Sequence, residues 1–521
     1  MNLRKLPAIV GLLATSLTVS ADPLWVGTYN GPFNSYDEVH AIGADDSGNV
    51  VVSGFSELSQ SDAEFVTIKY RANGDTAWLR HFNPGSGLDG ATALGVDGSG
   101  NAIVTGYLGG PTSEYGAWAT VKYSAAGESL WAANWQYGVE CRASAIALDT
   151  AGNSYITGQA GSQNYFDFAV LKYDPAGNEV WSFIYDGGDN DGANAVTVDR
   201  QGHTYATGYS IRSGNYGDLM TWELGPGGES LWASVYDGPA ARHDVGTAIA
   251  VDHAGDVIVA GFSNDASNRS DYITIKYAPT GETLWTRRYN GPGNQQDYVA
   301  GLVLDAAGNA YVTGFSYADA SHYNYTTIKY NPDGRERWVA RYAGPRGSDQ
   351  ASAIALDAEA NVYVTGSSLS ASNSWDVVTV KYDSAGNQRW VERWDRPSVY
   401  DEGYVIALGP DSSVFVGGRT NSDSGGIDYL TLKYGAAGAV EEGRPTHGAL
   451  RITPEPTLVR GVLEMPPAAN RLPTIAQLLS SSGRKVLDLH PGANDITRLA
   501  PGVYFLRNQL DSRPRRVTIL K

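Results

Sequence analysis

One phrase of twelve residues is written eight times along this chain. Asp305–Ser316 reads DAAGNAYVTGFS. Close copies begin at Asp45 (DDSGNVVVSGFS), Asp97 (DGSGNAIVTGYL), Asp149 (DTAGNSYITGQA), Asp199 (DRQGHTYATGYS), Asp252 (DHAGDVIVAGFS) and Asp357 (DAEANVYVTGSS), and a worn copy begins at Gly409 (GPDSSVFVGGRT). The glycine closing each copy falls at 54, 106, 158, 208, 261, 314, 366 and 418, a period of about 52 residues. A fixed period of that length restricts the chain to a repeat architecture, in which each unit buries its apolar faces against its neighbours.

Two further phrases keep step. One, DYITIKY at Asp271, places a lysine at 69, 122, 172, 276, 329, 381 and 433, with Glu223 in the fourth copy. The other, GETLWTRRYNG at Gly281, places a tryptophan at 78, 131, 181, 232, 285, 338 and 390, each four residues after a glycine. An eighth tryptophan, Trp25, stands in LWVGTYNG. Each period therefore predicts four short strands. In the sixth they are 300–305, 310–315, 325–330 and 337–342, with tight turns at DAAGN and NPDGRE, where Asp bonds backbone amides and Gly accepts positive φ. Four antiparallel strands per period of this size define a propeller blade. The ends are permuted. Leu24–Tyr29 reads as a lone fourth strand, and the last period lacks one after Tyr434. The expected fold is all-β, an eight-bladed β-propeller over 22–434 closed by its N-terminal strand, which removes the open edges that invite aggregation. The tryptophans are expected to wedge between blades, and the repeated Lys, Tyr and Trp are expected to serve packing rather than chemistry.

Composition fits a turn-rich β chain, with 62 Gly, 45 Tyr plus Trp and only 18% charged residues. The formal net charge of −18 argues against nucleic acid as a partner, because phosphate binding needs a basic face. The start, MNLRKLPAIVGLLATSLTVSADPLW, has basic Arg4 and Lys5, an apolar run from Leu6 to Val19 and the small-residue site Val19-Ser20-Ala21. That is the pattern of a signal peptide over 1–21, cleaved after Ala21. The run is too short to span a bilayer, and no other stretch has the character of a transmembrane segment. Cys141 is the one cysteine, so no intrachain disulfide forms and packing alone must stabilise an exported chain. A monomer is expected.

Residues 22–434 resemble the bacterial β-propeller repeat (SBBP-type) family, whose blades carry D-x-x-G-N-x-Y-V-T-G and K-Y-x-x-x-G-x-x-x-W. The resemblance implies an exported propeller and no fixed reaction; the family is described as seven-bladed, and here eight copies are counted. Residues 435–450, GAAGAVEEGRPTHGAL, read as a linker. The tail, 451–521, breaks the rhythm. It holds 11 Lys and Arg against 5 Asp and Glu, a net of +6; the leader adds +2, which leaves −26 on 22–450 out of the total of −18. Such asymmetry marks a separate module, and its short strands with turns at SSG and APG predict a small immunoglobulin-like β-sandwich. Ser482-Gly483-Arg484-Lys485-Val486, Leu499-Ala500-Pro501-Gly502-Val503-Tyr504-Phe505 and the terminal Lys521 resemble, in order, the motifs of the C-terminal sorting domain of type IX secretion substrates. That resemblance implies the type IX machinery as a partner, export to the outer-membrane surface or the medium, and cleavage or anchoring of the tail.

No nucleophile motif, zinc signature or phosphate loop is present, and the eight His residues are scattered without ligand spacing. No cofactor is implied. Eight-bladed quinoprotein dehydrogenases share the Gly-x-x-x-Trp corner, but they also need a calcium site, a catalytic Asp and usually a vicinal disulfide, which one cysteine excludes. The remaining regularity is an aspartate ahead of each first strand: Asp37, Asp89, Asp191, Asp244, Asp297, Asp349 and Asp401, with Cys141 in the third place. By symmetry these are expected to ring the central channel at one face. Either each caps backbone amides of an adjacent loop, or together they hold a cation, since close like charges are costly without a counter-ion. Cys141 favours capping, a thiol being a poor ligand for a hard cation. The loops between second and third strands (SELSQSDAE, LGGPTSEYGA, AGSQNYFD, SIRSGNYGD, SYADASHYN) vary and are rich in Tyr, Asn, Ser and Gly. They make one face the candidate recognition surface for a glycan or protein ligand. A secreted polysaccharide hydrolase or lyase using the same face is the rival reading, and clustered, non-repeating Asp, Glu, His and Tyr would favour it.

Overall fold

A computed structural model describes residues 23–84, 87–109, 116–161, 165–211, 216–396, 400–421 and 425–436, and seven strands of the tail. The leader, the linker beyond 436 and the tail's turn motifs lie outside the described residues. The chain divides into two compact units, Met1–Val440 and Glu441–Lys521.

The first unit holds eight four-stranded antiparallel sheets. The sixth blade is representative: Asp297–Leu304, Ala310–Tyr317, Tyr323–Tyr330 and Glu336–Tyr342 pair in sequence order. Both hairpin turns form as the Asp-Gly chemistry dictates. In the first, Asp305 Oδ1 accepts from the amides of Ala307 and Asn309, and Gly308 holds a φ of 78°. The eighth sheet takes its outer strand from the other end of the chain: Trp25–Tyr29 pairs antiparallel with Ile427–Tyr434, Trp25 opposite Lys433 and Tyr29 opposite Tyr429.

The first strand begins three residues earlier than its sequence pattern indicates. In the sixth blade a β-bulge at Ala300 breaks the alternation between Val299 and Gly301, so the half before the bulge does not read as strand. The bulge recurs in every blade and explains the glycine of VTG. A Cβ at Gly54, 106, 158, 208, 261, 314, 366 or 418 would lie 1.8–2.1 Å from the carbonyl oxygen just before the bulge, so only glycine fits. The bulge also re-aims its own side chain toward the next blade. Thr92 Oγ1 donates to Ala143 O at 2.8 Å and Asn194 Nδ2 to Gly246 O at 2.9 Å.

Blades join through apolar clusters that each draw on two neighbouring sheets, such as Ile258 and Tyr272 with Val312 and Ile328. At the outer corner each tryptophan reaches over to the next blade. Trp25, 78, 131, 181, 232, 285 and 338 donate Nε1 to the carbonyls of Ala72, Ala125, Pro175, Pro226, Pro279, Pro332 and Ser384 at 2.9–3.2 Å. Five of the seven repeated lysines are buried, and three of these pair with turn aspartates: Lys69–Asp45, Lys122–Asp97 and Lys276–Asp252 lie at 2.9–3.1 Å. Where the fourth blade has Glu223 instead, the Asn slot of the turn is His203, and its Nδ1 meets Glu223 Oε1 at 2.7 Å. Among the described residues no helix is long and apolar enough to cross a membrane.

In the second unit the described strands form a five-stranded sheet and a two-stranded sheet. In the larger, Thr457–Val459 runs parallel beside Arg515–Ile519, followed by Gly502–Asn508, Ala476–Ser480 and Lys485–Leu489, all antiparallel. Val462–Met465 pairs with Gly492–Asp495.

Candidate binding face

All seven repeated aspartates are buried, at 0–1% exposure, where the chain enters a blade from the preceding one. Each carboxylate accepts a backbone amide from a flanking loop. Asp37, Asp244, Asp297, Asp349 and Asp401 take the amides of Gly31, Gly238, Gly291, Gly344 and Arg396, and Asp89 takes that of Gly109, at 2.6–2.9 Å. Asp191 takes the Gly187 amide. In the third blade the Cys141 thiol does the work of both partners, donating to Tyr137 O at 3.0 Å and accepting from Tyr137 N at 3.4 Å. Burial pushes all seven carboxyls up from the ordinary aspartate value, to about 6 for Asp89, Asp297 and Asp401.

These carboxylate–amide contacts latch their blades to a flanking loop, and the latch has a further member on the facing strand. Opposite Asp37, Asp191, Asp244, Asp297 and Asp349 in strand register stand Ser56, Ser210, Ser263, Ser316 and Ser368, and opposite Asp401 stands Thr420, which donates to it at 2.6 Å. Cys141 instead faces Ala160. The signal is the last letter of the twelve-residue phrase, which is Ser or Thr in six of the seven copies that have an Asp, Leu108 in the second blade being the exception, and Ala where the Asp is replaced.

The same face carries what does not repeat. Where the eighth and first blades meet, Arg419 bridges Glu38 and Glu402 and donates to Tyr36. Tyr404 donates to Glu402 at 2.5 Å, and His40 Nε2 lies 3.1 Å from Glu38 Oε2. In six of the other blades the Arg419 position is Phe55, Tyr107, Gln159, Tyr209, Phe262 or Phe315. Burial opposes ionisation of Glu38, yet hydrogen bonds from His40 and Tyr36 and the charge of Arg419 hold it below the usual range. Burial and the neighbouring carboxylates push Tyr404 far up, and Tyr36 to about 12.

Every strongly exposed aromatic ring among the described residues lies on this face. Phe33, Tyr137 and Tyr400 sit in links between blades, and Tyr165 and Tyr216 between second and third strands, at 41–55% exposure. Tyr137 stacks on buried Trp135 with ring centroids 6.5 Å apart, and Arg242 lies over Tyr216 at 4.6 Å. A cavity of about 430 Å³ opens beside Tyr137 and Tyr165, with Asp167 and Asp186 in its wall. A cavity of about 500 Å³ on the opposite face, between the first and second blades, is lined by repeated residues such as Asp45, Lys69 and Trp78. Their partners are already fixed by the packing, so the smaller cavity is the better candidate.

The architecture is that of an eight-bladed β-propeller. Residues 337–372 match the family model described as the β-propeller repeat, SBBP. The match runs from the outer strand of the sixth blade into the seventh and so contains one complete latch, Gly344, Asp349 and Ser368. No curated protein matches the chain. Among solved structures, Sqt1 from Chaetomium thermophilum is similar with a TM-score of 0.53 at 12% identity, covering 80% of this chain and all of that one. The polysaccharide lyase Uly1 aligns with a TM-score of 0.41 at 11% identity over 79% of this chain and 91% of its own. YCF48 bound to D1 peptide aligns at 0.40 and 10%, over 82% and 99%. Identities this low speak to the propeller fold alone.

Proposed function

We propose that the protein is an exported binding module that presents its loop face at the cell surface or in the medium. One observation carries this reading. The repeated polar residues are consumed in latches, turns and blade corners, whereas the exposed aromatic rings gather on the one face whose loops vary. Rings on five separate loops offer flat stacking surfaces of the kind sugars use, so a glycan is the favoured ligand class. The tail, by its resemblance to a type IX sorting domain and its charge opposite to that of the propeller, is the export signal.

The rival reading, a polysaccharide hydrolase or lyase on the same face, is favoured by the non-repeating Arg419, Glu38, Glu402, Tyr404 and His40. Their state speaks against it. Arg419 is spent on two carboxylates, so it has no free valence for a uronate, and a tyrosine held protonated is a poor general base. Glycan and peptide arrays probed with the whole protein test the proposal. Binding to a glycan class, weakened by Tyr137→Ala or Tyr165→Ala, is expected. Binding to peptides alone, or to nothing, would overturn it, and turnover of a bound polysaccharide that Tyr404→Phe abolishes would establish the rival.

A further inference from the structure

We propose that Asp167, Asp186 and Asp191 form a site for a divalent, oxygen-preferring cation such as Ca²⁺ in the blade-three cavity. One carboxylate oxygen from each lies within 4.8 Å of the others. The donor set is all hard oxygen, with no nitrogen or sulfur, which suits Ca²⁺ rather than zinc or copper.

The acids alone would not carry this; the state of Asp167 does. Asp167 is only 9% exposed and lines the cavity, and among the described residues its side chain has no hydrogen-bond or ion-pair partner, the charges nearest it being Asp186 and Asp191. Blade four repeats the acid triad with Asp218, Asp237 and Asp244, but three other blades answer that strand position with a basic side chain. There Glu64 meets His81 at 2.6 Å, Asp271 meets Arg288 at 2.7 Å and Asp376 meets Arg393 at 2.5 Å. In blade three the register that puts Arg288 in its sheet puts Ile184 instead, and two residues on, the Asn290 of blade five is replaced by Asp186. A cation has been exchanged for an apolar residue and a further anion added. Three carboxylates this close repel one another without a counter-ion, and two of them, Asp167 and Asp191, are buried while Asp186 is exposed. Asp191 gives one oxygen to the Gly187 amide, as the other latch aspartates do to their loops. A bound cation supplies the missing positive charge. The site does not depend on the glycan reading, and its test needs no ligand but the ion.

The experiment is calcium titration of the whole protein after chelator treatment, by calorimetry, with terbium luminescence excited through Tyr137 and Tyr165 as a second readout. Asp167→Asn and Asp186→Asn are the variants, chosen because neither residue latches a blade. The wild type is expected to bind Ca²⁺ and to melt about 2–4 °C higher with it. Each variant should lose one equivalent, or weaken it at least about tenfold. Circular dichroism identifies a variant that has not folded, and the other then decides. A wild type that binds no Ca²⁺, or variants that bind it unchanged, would overturn the proposal.

Discussion

Replacing Gly334 with alanine tests how the blades are joined. Gly334 holds a φ of 78°, and a Cβ there would lie 2.6 Å from Cδ2 and 2.8 Å from Cγ of Trp285. That indole is 9% exposed, donates to Pro332 O at 3.0 Å and tilts against Tyr330 with centroids 6.0 Å apart. The left-handed backbone costs a residue with a Cβ about 1–2 kcal/mol. The displaced indole loses a hydrogen bond worth about 1 kcal/mol, and overpacking adds about 1–3 kcal/mol. Gly334→Ala is therefore expected to cost about 3–6 kcal/mol. Trp285→Ala costs about 3–5 kcal/mol by itself, but in its background the new methyl meets no indole and only the backbone cost survives. The double-mutant cycle should then show a coupling of about 2 kcal/mol or more. Guanidinium unfolding followed by far-ultraviolet circular dichroism measures it without relying on the deleted indole. A coupling below about 0.5 kcal/mol, the ordinary scatter of additivity, would refute the wedge.

Deleting residues 22–31 removes the outer strand of the eighth blade and bares the Ile427–Tyr434 edge; aggregation or loss of cooperative melting is expected, and unchanged melting would rule out a closing role for that strand. Arg419→Met leaves Glu38 and Glu402 without their shared cation and should cost about 3–5 kcal/mol in thermal or denaturant melts, partly recovered by adding Glu402→Gln. The latch aspartates set a pH dependence. Their carboxyls lie above the ordinary value in the folded state, so the fold holds protons more tightly than the open chain; that stabilisation is fully present below the ordinary aspartate pKa and is lost as pH rises through about 6. Melting in chelator should therefore be higher near pH 5 than near pH 7.5, and Asp297→Asn should flatten the difference; a melting temperature that climbs across that interval would contradict the buried latch. Removing 451–521 should leave a folded propeller trapped inside the outer membrane, and normal surface display of the truncated chain would count against the tail as export signal.

Much of the propeller is legible because blade formation is a local, repeated problem. Asp305 and Gly308 need only their own turn, and Tyr325 and Tyr330 meet the kind of neighbour that every adjoining blade supplies. What stayed hidden depends on geometry that periodicity does not encode. The bulge at Ala300 breaks the alternation that marks a strand, so the inner strand looks too short, although the glycine it demands at 314 is present in every copy. The aspartates stand out in sequence, but their fate turns on Gly291 and Ser316, which reach Asp297 from two different connections. The face that carries the site is harder still to read. Its residues repeat in few blades or none, so in a search for copies Arg419 and Asp186 register as noise.

That inversion is a physical consequence of the architecture. In a closed ring of similar blades, any side chain written in all copies must satisfy the same contact eight times, and the contacts common to all blades are those between neighbours. Repetition is thus the signature of packing: Lys276 on Asp252, Trp285 on Pro332, Asp297 on Gly291. A ligand, by contrast, meets the ring from one side and breaks its symmetry, so the residues serving it are free to differ. The pair Asp271–Arg288 in one blade and the group Asp167, Asp186 and Asp191 in another show the divergence at equivalent positions. The first closes its charge internally. The second gathers three carboxylates beside an open cavity, with Ile184 where the first has its arginine.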